Sequence, residues 1–327
     1  MWLSQQIVSE RIPEDTNLLT LPLNFTIQLE QPRKRLGFLG ATLRGGLGFV
    51  LRDLYCKHAP DSQGRCSDPE HCAYGTLFEG VKASEQLHRA GADRLPQPMV
   101  MNVESPNAWR GELNEVRFGI SLFGCATQFA PQLINAIQEL AKRGLGPDRE
   151  LGKLSNIDGS NIEGFNQPKL LEANPAPPHA CSLKWSFHTP LDIRKSGVSL
   201  NRIGAIDLLL AGRRRWELLC QAYGGNNYEV DIGERLEASQ FRVMGDQTSV
   251  WKFERYSSRQ DSRMEMRGIV GDVTIHGPWH QAGAWLKYVH CIGLGKHASF
   301  GFGRTTWQHR VATAEQANTS HTRIPHG

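Results

Sequence analysis

The sequence predicts an α+β protein of two tandem domains with the same build, and three observations carry that reading. Apolar and polar residues alternate in several short stretches, as in half-buried strands, and these stretches are separated by segments with helical spacing. The pattern then repeats, each half reading strand, helix ending in Cys, strand region, strand, helix, Gly-Leu-Gly, strand. The run Val116 to Gly124, a helix and Gly144-Leu145-Gly146 answer to Ile269 to Gly277, a helix and Gly293-Leu294-Gly295. The order βαββαβ is that of the ferredoxin-like (RRM-like) domain, whose two helices lie behind a four-stranded antiparallel sheet.

In chain order, Leu23, Phe25, Ile27 and Leu29 form the first alternating strand, followed by the basic Arg33-Lys34-Arg35. Leu39, Leu43, Leu47, Leu51 and Leu54 fall on one helical face that closes at Cys56. Gly45, Gly46 and Gly48 in that helix imply a kink, an irregular start or a close backbone contact. Residues 57–114 read as irregular, and Val116 to Leu122 as a strand. Phe129 to Leu140 gives a second helix terminated by Gly144, and Leu151 to Ile157 a closing strand. In the second half, Leu183 to Phe187 alternates and a helix runs within Leu200 to Tyr223. Strand pieces follow at Phe241–Val243, Val250–Phe253 and Ile269–Ile275, and Pro278 opens a last helix. The expected division is an N-terminal extension over 1–20, a first domain over 21–163 with a Cys-rich insertion at 56–75, and a linker over 164–180. A second domain over 181–310 and a polar, disordered tail over 311–327 complete it.

The chain has 327 residues, 39% hydrophobic and 21% charged, ample for soluble domains with real cores. A net charge of +4 and a pI near 8.7 lean towards an anionic partner. No apolar run approaches the ~18 residues of a membrane span, and no secretory signal is visible. Seven cysteines without such a signal read as cytoplasmic thiols or metal ligands rather than a disulfide framework.

The stretch richest in chemistry is Cys291 to Arg304, where Gly293, Gly295, Gly301 and Gly303 alternate with Lys296, His297 and Arg304. Glycine permits positive φ and close approach. Exposed N–H groups beside two cations would make an anion-binding concavity. A nucleotide-binding P-loop needs G-x-x-x-x-G-K-[ST]; here His297 follows Gly295-Lys296 and His290 stands five before Gly295, so that reading fails. Cys56, Cys66 and Cys72 with His58 and His71 offer thiolate and imidazole ligands for a structural zinc, without tight C-x₂₋₄-C pairs; plain thiols are the alternative.

Several pieces in this order resemble the CRISPR RAMP endoribonucleases that process precursor CRISPR RNA. They are Phe38 to Gly45, Ala73 to Glu79, His188 to Ile193, Arg213 to Leu219, Arg255 to Gln260, Gly268 to Gly271 and Gly293 to Arg304. The likeness covers about residues 20–310. It implies metal-independent cleavage within CRISPR repeat RNA, a 2′-hydroxyl attacking the neighbouring phosphate to leave a 2′,3′-cyclic phosphate and a 5′-hydroxyl. It also implies that the guide RNA is retained and that the partners are crRNA and other CRISPR effector subunits. The family's glycine-rich loop lies against RNA, which carries over to Gly293, Gly295, Lys296, Gly301, Gly303 and Arg304. Arg33, Lys34, Arg35, Arg52, Arg213, Arg214 and Arg259 join them as phosphate-tracking candidates. The family often has a catalytic histidine on or just after the first helix, whereas Leu36 to Tyr55 contains none. His297 and Arg44 therefore lead as catalytic candidates, followed by His58 and Tyr55. A non-catalytic RNA-binding subunit, or a zinc enzyme centred on Cys56, Cys66, Cys72 and His71, are the rival readings.

Overall fold

The computed structural model describes residues 7–8, 18–33, 38–57, 71–79, 95–104, 113–146, 148–158, 169–170, 174–175, 177, 180–224, 235–257 and 262–310. The first half contains β1 (Leu19–Arg33), α1 (Leu39–Tyr55), β2 (Met99–Val103), β3 (Leu113–Phe123), α2 (Ala130–Arg143) and β4 (Gly152–Asp158). The second contains β5 (Cys181–Leu191), α3 (Ala205–Tyr223), β6 (Arg242–Ser257), β7 (Ser262–Gly277), α4 (Trp285–Ile292) and β8 (Thr305–Arg310). The sheets run β2-β3-β1-β4 and β6-β7-β5-β8, with every pairing antiparallel. Both are the ferredoxin-like order, so the repeat read from the sequence is a repeat of topology. Lys169–Leu170 adds a short strand to the start of β1.

Alternation explains which face each sheet buries. Leu21, Leu23, Phe25, Ile27 and Leu29 of β1 point onto α1 and α2, where Leu39, Leu43, Leu47, Leu51, Leu133, Ile137 and Leu140 meet them. In β5 the inward set is Cys181, Leu183, Trp185 and Phe187. Trp185 lies 5.1 Å from Trp279 and 6.0 Å from Trp285, while Trp216 of α3 stacks on Tyr288 of α4 at 4.6 Å. Buried indoles usually find partners for their N–H groups, and two of these four do, Trp185 and Trp216 having none among the described residues. Trp279 donates to Ile275 O and Trp285 to Ala282 O.

The helices of each domain touch through a glycine of the first. A Cβ on Gly46 would sit 2.5 Å from Leu140 Cδ1, and one on Gly212 would sit 2.2 Å from Trp285 Cε3. Gly48 lies against the Phe78 ring, so two of the three glycines flagged in α1 serve close packing and the helix runs unbroken. The Gly-Leu-Gly repeats have a shared purpose. Gly144, Gly146, Gly293 and Gly295 all have positive φ, and the turns drive Leu145 and Leu294 into the cores.

Elsewhere the structure departs from the sequence reading. The strand pieces at Phe241–Val243 and Val250–Phe253 belong, apart from Phe241, to one 16-residue strand, β6, hairpinned with an equally long β7. The helix expected from Pro278 is a short turn at Trp279–Gln281; Gly283, at φ 100°, breaks it before α4. Within the stretch read as irregular lie β2 and a π-helical turn, Gly75–Glu79. Leu54 of the predicted apolar face is 39% exposed, the helix having rotated it off the core by its last turn. Ile7–Val8, placed in a polar surface extension, pairs with Arg235–Leu236.

The halves meet along β2 and the segment before it. Tyr223 donates to Pro96 O, Ser299 donates to Gln97 Oε1, and Gln97 Nε2 donates to Phe78 O. The far part of the β6–β7 hairpin packs Trp251, Phe253 and Met266 on the first domain's core, where Phe38 lies 5.6 Å and 5.2 Å from the two aromatic rings. Gly212→Ala drives a methyl into the Trp285 ring and is expected to destabilise the protein by about 1–3 kcal/mol. Gly45, exposed and with nothing within 4 Å of its missing Cβ, is the contrasting case. Gly45→Ala is expected to stabilise by about 0.5–1 kcal/mol. Urea unfolding of the two variants beside the parent protein checks both signs.

Candidate functional site

The glycine-rich loop leaves α4 at Ile292 and enters β8 at Thr305. Its four glycines lie at φ values between 64° and 85°, where a side chain is strained. Three of their approaches are to the protein's own backbone or core. A Cβ on Gly303 would lie 1.9 Å from Leu294 O, on Gly295 2.5 Å from Asp192 O, and on Gly301 2.7 Å from Val103 Cγ2. The open cradle of N–H groups expected from the sequence is largely closed from within. Leu294 donates to Gly303 O, Lys296 to Asp192 O, Phe300 and Phe302 to His297 O, Gly301 to Ala298 O, Gly303 to Pro190 O and Arg304 to Thr189 Oγ1. What the loop offers outward is therefore its side chains. Lys296 and Arg304 are exposed, the latter donating through Nη1 to Val103 O at 3.3 Å.

His297 occupies the turn of this loop at φ 68°, ψ 24°, a left-handed conformation uncommon for a non-glycine residue. Its ring is one-third exposed and faces inward onto Phe300 and Phe302 edge-on, at 5.8 and 5.7 Å. Nε2 lies 3.6 Å from Oδ2 of Asp192. Burial pushes the imidazole down to about 4; Asp192 opposes this, while Arg194, Lys296 and Arg255 add to it. His297 is thus neutral at pH 7 and able to accept a proton.

Beside it, the ring of Phe300 has two guanidinium groups on it, Arg44 of α1 at 4.5 Å and Arg255 of β6 at 4.6 Å. Arg44 also lies 4.5 Å from the centre of Phe78, so it is held between two rings. It is 7% exposed, and its guanidinium is lowered to about 9 by burial and by repulsion from Arg255. Its position makes it a post under the loop rather than a free cation. A Cβ on Gly40, one turn earlier, would lie 1.8 Å from Phe300 O, which brings α1 and the loop into direct contact.

The other sequence candidates scatter. Tyr55 stands eleven residues beyond Arg44, roughly 16 Å along the helix at 1.5 Å per residue. There its hydroxyl accepts from Asn135 Nδ2 at 2.6 Å. This separates Tyr55 from Arg44, with which the sequence reading groups it as a catalytic candidate, because Tyr55 is the last residue of α1 and Arg44 lies in its second turn. Arg52 lies 5.8 Å from the Tyr74 ring. Arg213 pairs with Glu217 at 2.6 Å and Arg214 is exposed on α3. The third arginine of that run, Arg215, turns inward and donates to Ile292 O at the end of α4. Arg33 lies at the end of β1. Cys72 Sγ accepts from Gly75 N at 3.1 Å. No group of three His, Cys, Asp or Glu side chains poised for a metal occurs among the described residues. Lys34, Arg35, His58, Cys66 and Arg259 lie outside them. Sequence reasoning missed Asp192 and Arg255, which stand in the His188–Ile193 and Arg255–Gln260 stretches but gained a role only once the fold brought them to the loop.

Comparison with known proteins agrees with the fold. Residues 185–305 match the family model of CRISPR-associated endoribonuclease Cas6, and residues 18–176 match the AF_1859_N model of an N-terminal domain. A protein of Archaeoglobus fulgidus is 25% identical over 131 residues, 38% of this chain and 44% of that protein, so less than half of the relative's length is matched. Among solved structures, a Cas6 product complex superposes with a TM-score of 0.52 at 14% identity, covering 88% of this chain and 100% of that one. Thermus thermophilus Cas6 gives 0.50 at 13% identity, covering 89% and 99%. A partial Cas6-RT-Cas1–Cas2 complex gives 0.52 at 11% identity, covering 93% of this chain and 48% of that one. At these identities the structural likeness speaks for the tandem ferredoxin-like fold, and the family model speaks for the second half. Residues 185–305 are thus similar to the CRISPR-associated endoribonuclease Cas6 family, and the chain shares the tandem ferredoxin-like fold of solved Cas6 structures.

Proposed function

We propose that this protein is an endoribonuclease that cleaves CRISPR repeat RNA without a metal ion and retains the matured guide. The 2′-hydroxyl gives its proton to His297 and its oxygen bonds to the adjacent phosphorus. The bond to the 5′-oxygen breaks, and that oxygen takes up a proton from water. The products are a 2′,3′-cyclic phosphate and a 5′-hydroxyl. The observation that carries this reading is a neutral, partly exposed imidazole 3.6 Å from Asp192 and flanked by three cations, Lys296, Arg194 and Arg255. Base and charge stabilisation are what such a step requires. Arg44 contributes through Phe300, by fixing the loop that carries His297. The coarser statement, CRISPR repeat RNA processing, has the support of the Cas6 family model and of Cas6 solved with its product. The zinc reading depends on Cys66 together with Cys56, His71 and Cys72, and under this proposal any such ion has a structural role only.

One observation favours a second reading, a non-catalytic RNA-binding subunit: α1, Leu39–Tyr55, carries no histidine. Incubation with the cognate repeat RNA in EDTA separates the two. Cleavage to a cyclic phosphate supports the endoribonuclease, and tight binding without cleavage supports the rival.

His297→Ala is expected to lower the single-turnover rate by about 10²–10⁴-fold, the usual contribution of a positioned proton acceptor. Arg44→Ala is expected to weaken both folding stability and cleavage. Wild-type rates for both variants would refute the assignment. The pH dependence has a definite sign. Because the folded imidazole is held near 4, it stays neutral and active as a base above that value and loses the role as pH falls through it. The rate under subsaturating RNA should therefore survive at pH 5.5, where a free imidazole of pKa about 6.5 would be mostly protonated. A rate already falling with a midpoint near 6.5 would show that another group, or an unburied histidine, is the base.

A further inference from the structure

Asp192 directly follows β5 and lies beside the loop, 2% exposed. A buried charge is costly unless it is paired and hydrogen-bonded, and Asp192 is both. Ser199 Oγ donates to Oδ1 at 2.6 Å, while Arg194 donates to Oδ2 through Nε at 3.1 Å and Nη2 at 3.0 Å. Those partners come from a miniature hairpin, Arg194–Lys195 paired with Val198–Ser199. Its two-residue turn has Ser196 at φ 51° and Gly197 at φ 83°, both positive as a type I′ turn requires. The register sets Arg194 opposite Ser199, so both reach the same carboxylate. Lys296 N donates to the Asp192 carbonyl at 2.9 Å, tying the same residue to the loop's backbone. The remaining neighbour of Oδ2 is His297 Nε2 at 3.6 Å.

We propose that Asp192 is the positioning residue for His297: it holds Nε2 inward as the protonated nitrogen, presents Nδ1 to the RNA, and stabilises the imidazolium formed when the 2′-hydroxyl proton is transferred. The proposal rests on the reading of His297 as the proton acceptor. The charged groups facing the ring come from four elements. They are Asp192 just after β5, Arg194 of the small hairpin, Lys296 of the loop itself and Arg255 of β6. The three cations disfavour imidazolium, and Asp192 is the anion that offsets them. A carboxylate that orients a histidine acts in this way without itself being protonated.

The test uses ¹⁵N ring spectra of the full-length protein, with His297 assigned through His297→Gln, and single-turnover cleavage of the cognate repeat RNA. Wild type should show the Nε2-protonated form predominating. Asp192→Asn should lose that preference, move the His297 titration midpoint lower, and slow cleavage at least about tenfold with RNA affinity held within about twofold. If Asp192→Asn fails to fold, Ser199→Ala, which frees the carboxylate while keeping its charge, should shift the tautomer ratio and slow cleavage by a smaller factor. An unchanged ring spectrum and midpoint in a folded variant overturns the proposal. A changed spectrum beside wild-type cleavage by His297→Gln overturns instead the reading on which it rests.

Discussion

The contact on which the rest depends is the meeting of α1 with the glycine-rich loop. Gly40 presses its bare Cα towards Phe300 O, and Arg44, one turn on, lies on the Phe300 ring. Phe302, 1% exposed, enters the first domain's core from the second domain's loop, 5.3 Å from Phe38. No larger residue than glycine fits at 40 without moving backbone, and glycine alone tolerates the φ values at 301 and 303 without strain. Two domains that could each fold around their own helices are thereby fixed in one register. The loop is set as a rigid surface rather than a floppy anion trap.

That rigidity has a chemical consequence. Because carbonyls of the loop itself and of Pro190 and Asp192 take up half of its N–H groups, the RNA affinity proposed for this loop falls chiefly to its side chains. His297 takes its place in that frame through a left-handed backbone turn, and its ring is kept from charging by burial and by the surrounding cations. Preorganised charge around a fixed proton acceptor does its work without reorganising during the reaction. Burial does most to hold the imidazole neutral, and Arg194, Lys296 and Arg255, the cations that under the proposal would attract phosphate, add to it.

Much of the fold was legible because period-two strands, 3.6-residue helices and the Gly-Leu-Gly punctuation all recur in each half. The strand β2 was not: Met99, Val100, Met101 and Val103 are all buried, so no alternation marks them. The loop's glycines were legible as a demand for close approach, but a sequence does not say whether the approaching group is a ligand or the chain's own carbonyl. His297 stood out by residue type. Tyr55 was misplaced because sequence proximity to Arg44 hides three helical turns, and Asp192 was missed because its partners assemble only through the β5 end, the small hairpin and the loop. Arg213 and Arg214 were read as surface cations, and the arginine that follows them, Arg215, is turned inward by α3 onto α4.

The central claim is that repeat RNA is cleaved on the face formed by α1, the loop and the end of β5. The most direct measurement is a structure of the complex with repeat RNA carrying a 2′-deoxy nucleotide at the cleavage position, which blocks the reaction but not binding. The account predicts the scissile phosphate within hydrogen-bond reach of Lys296 or Arg304 and the sugar's 2′ position next to His297 Nδ1. A scissile phosphate at the far end of α1, beside Tyr55, with His297 uncontacted would contradict it.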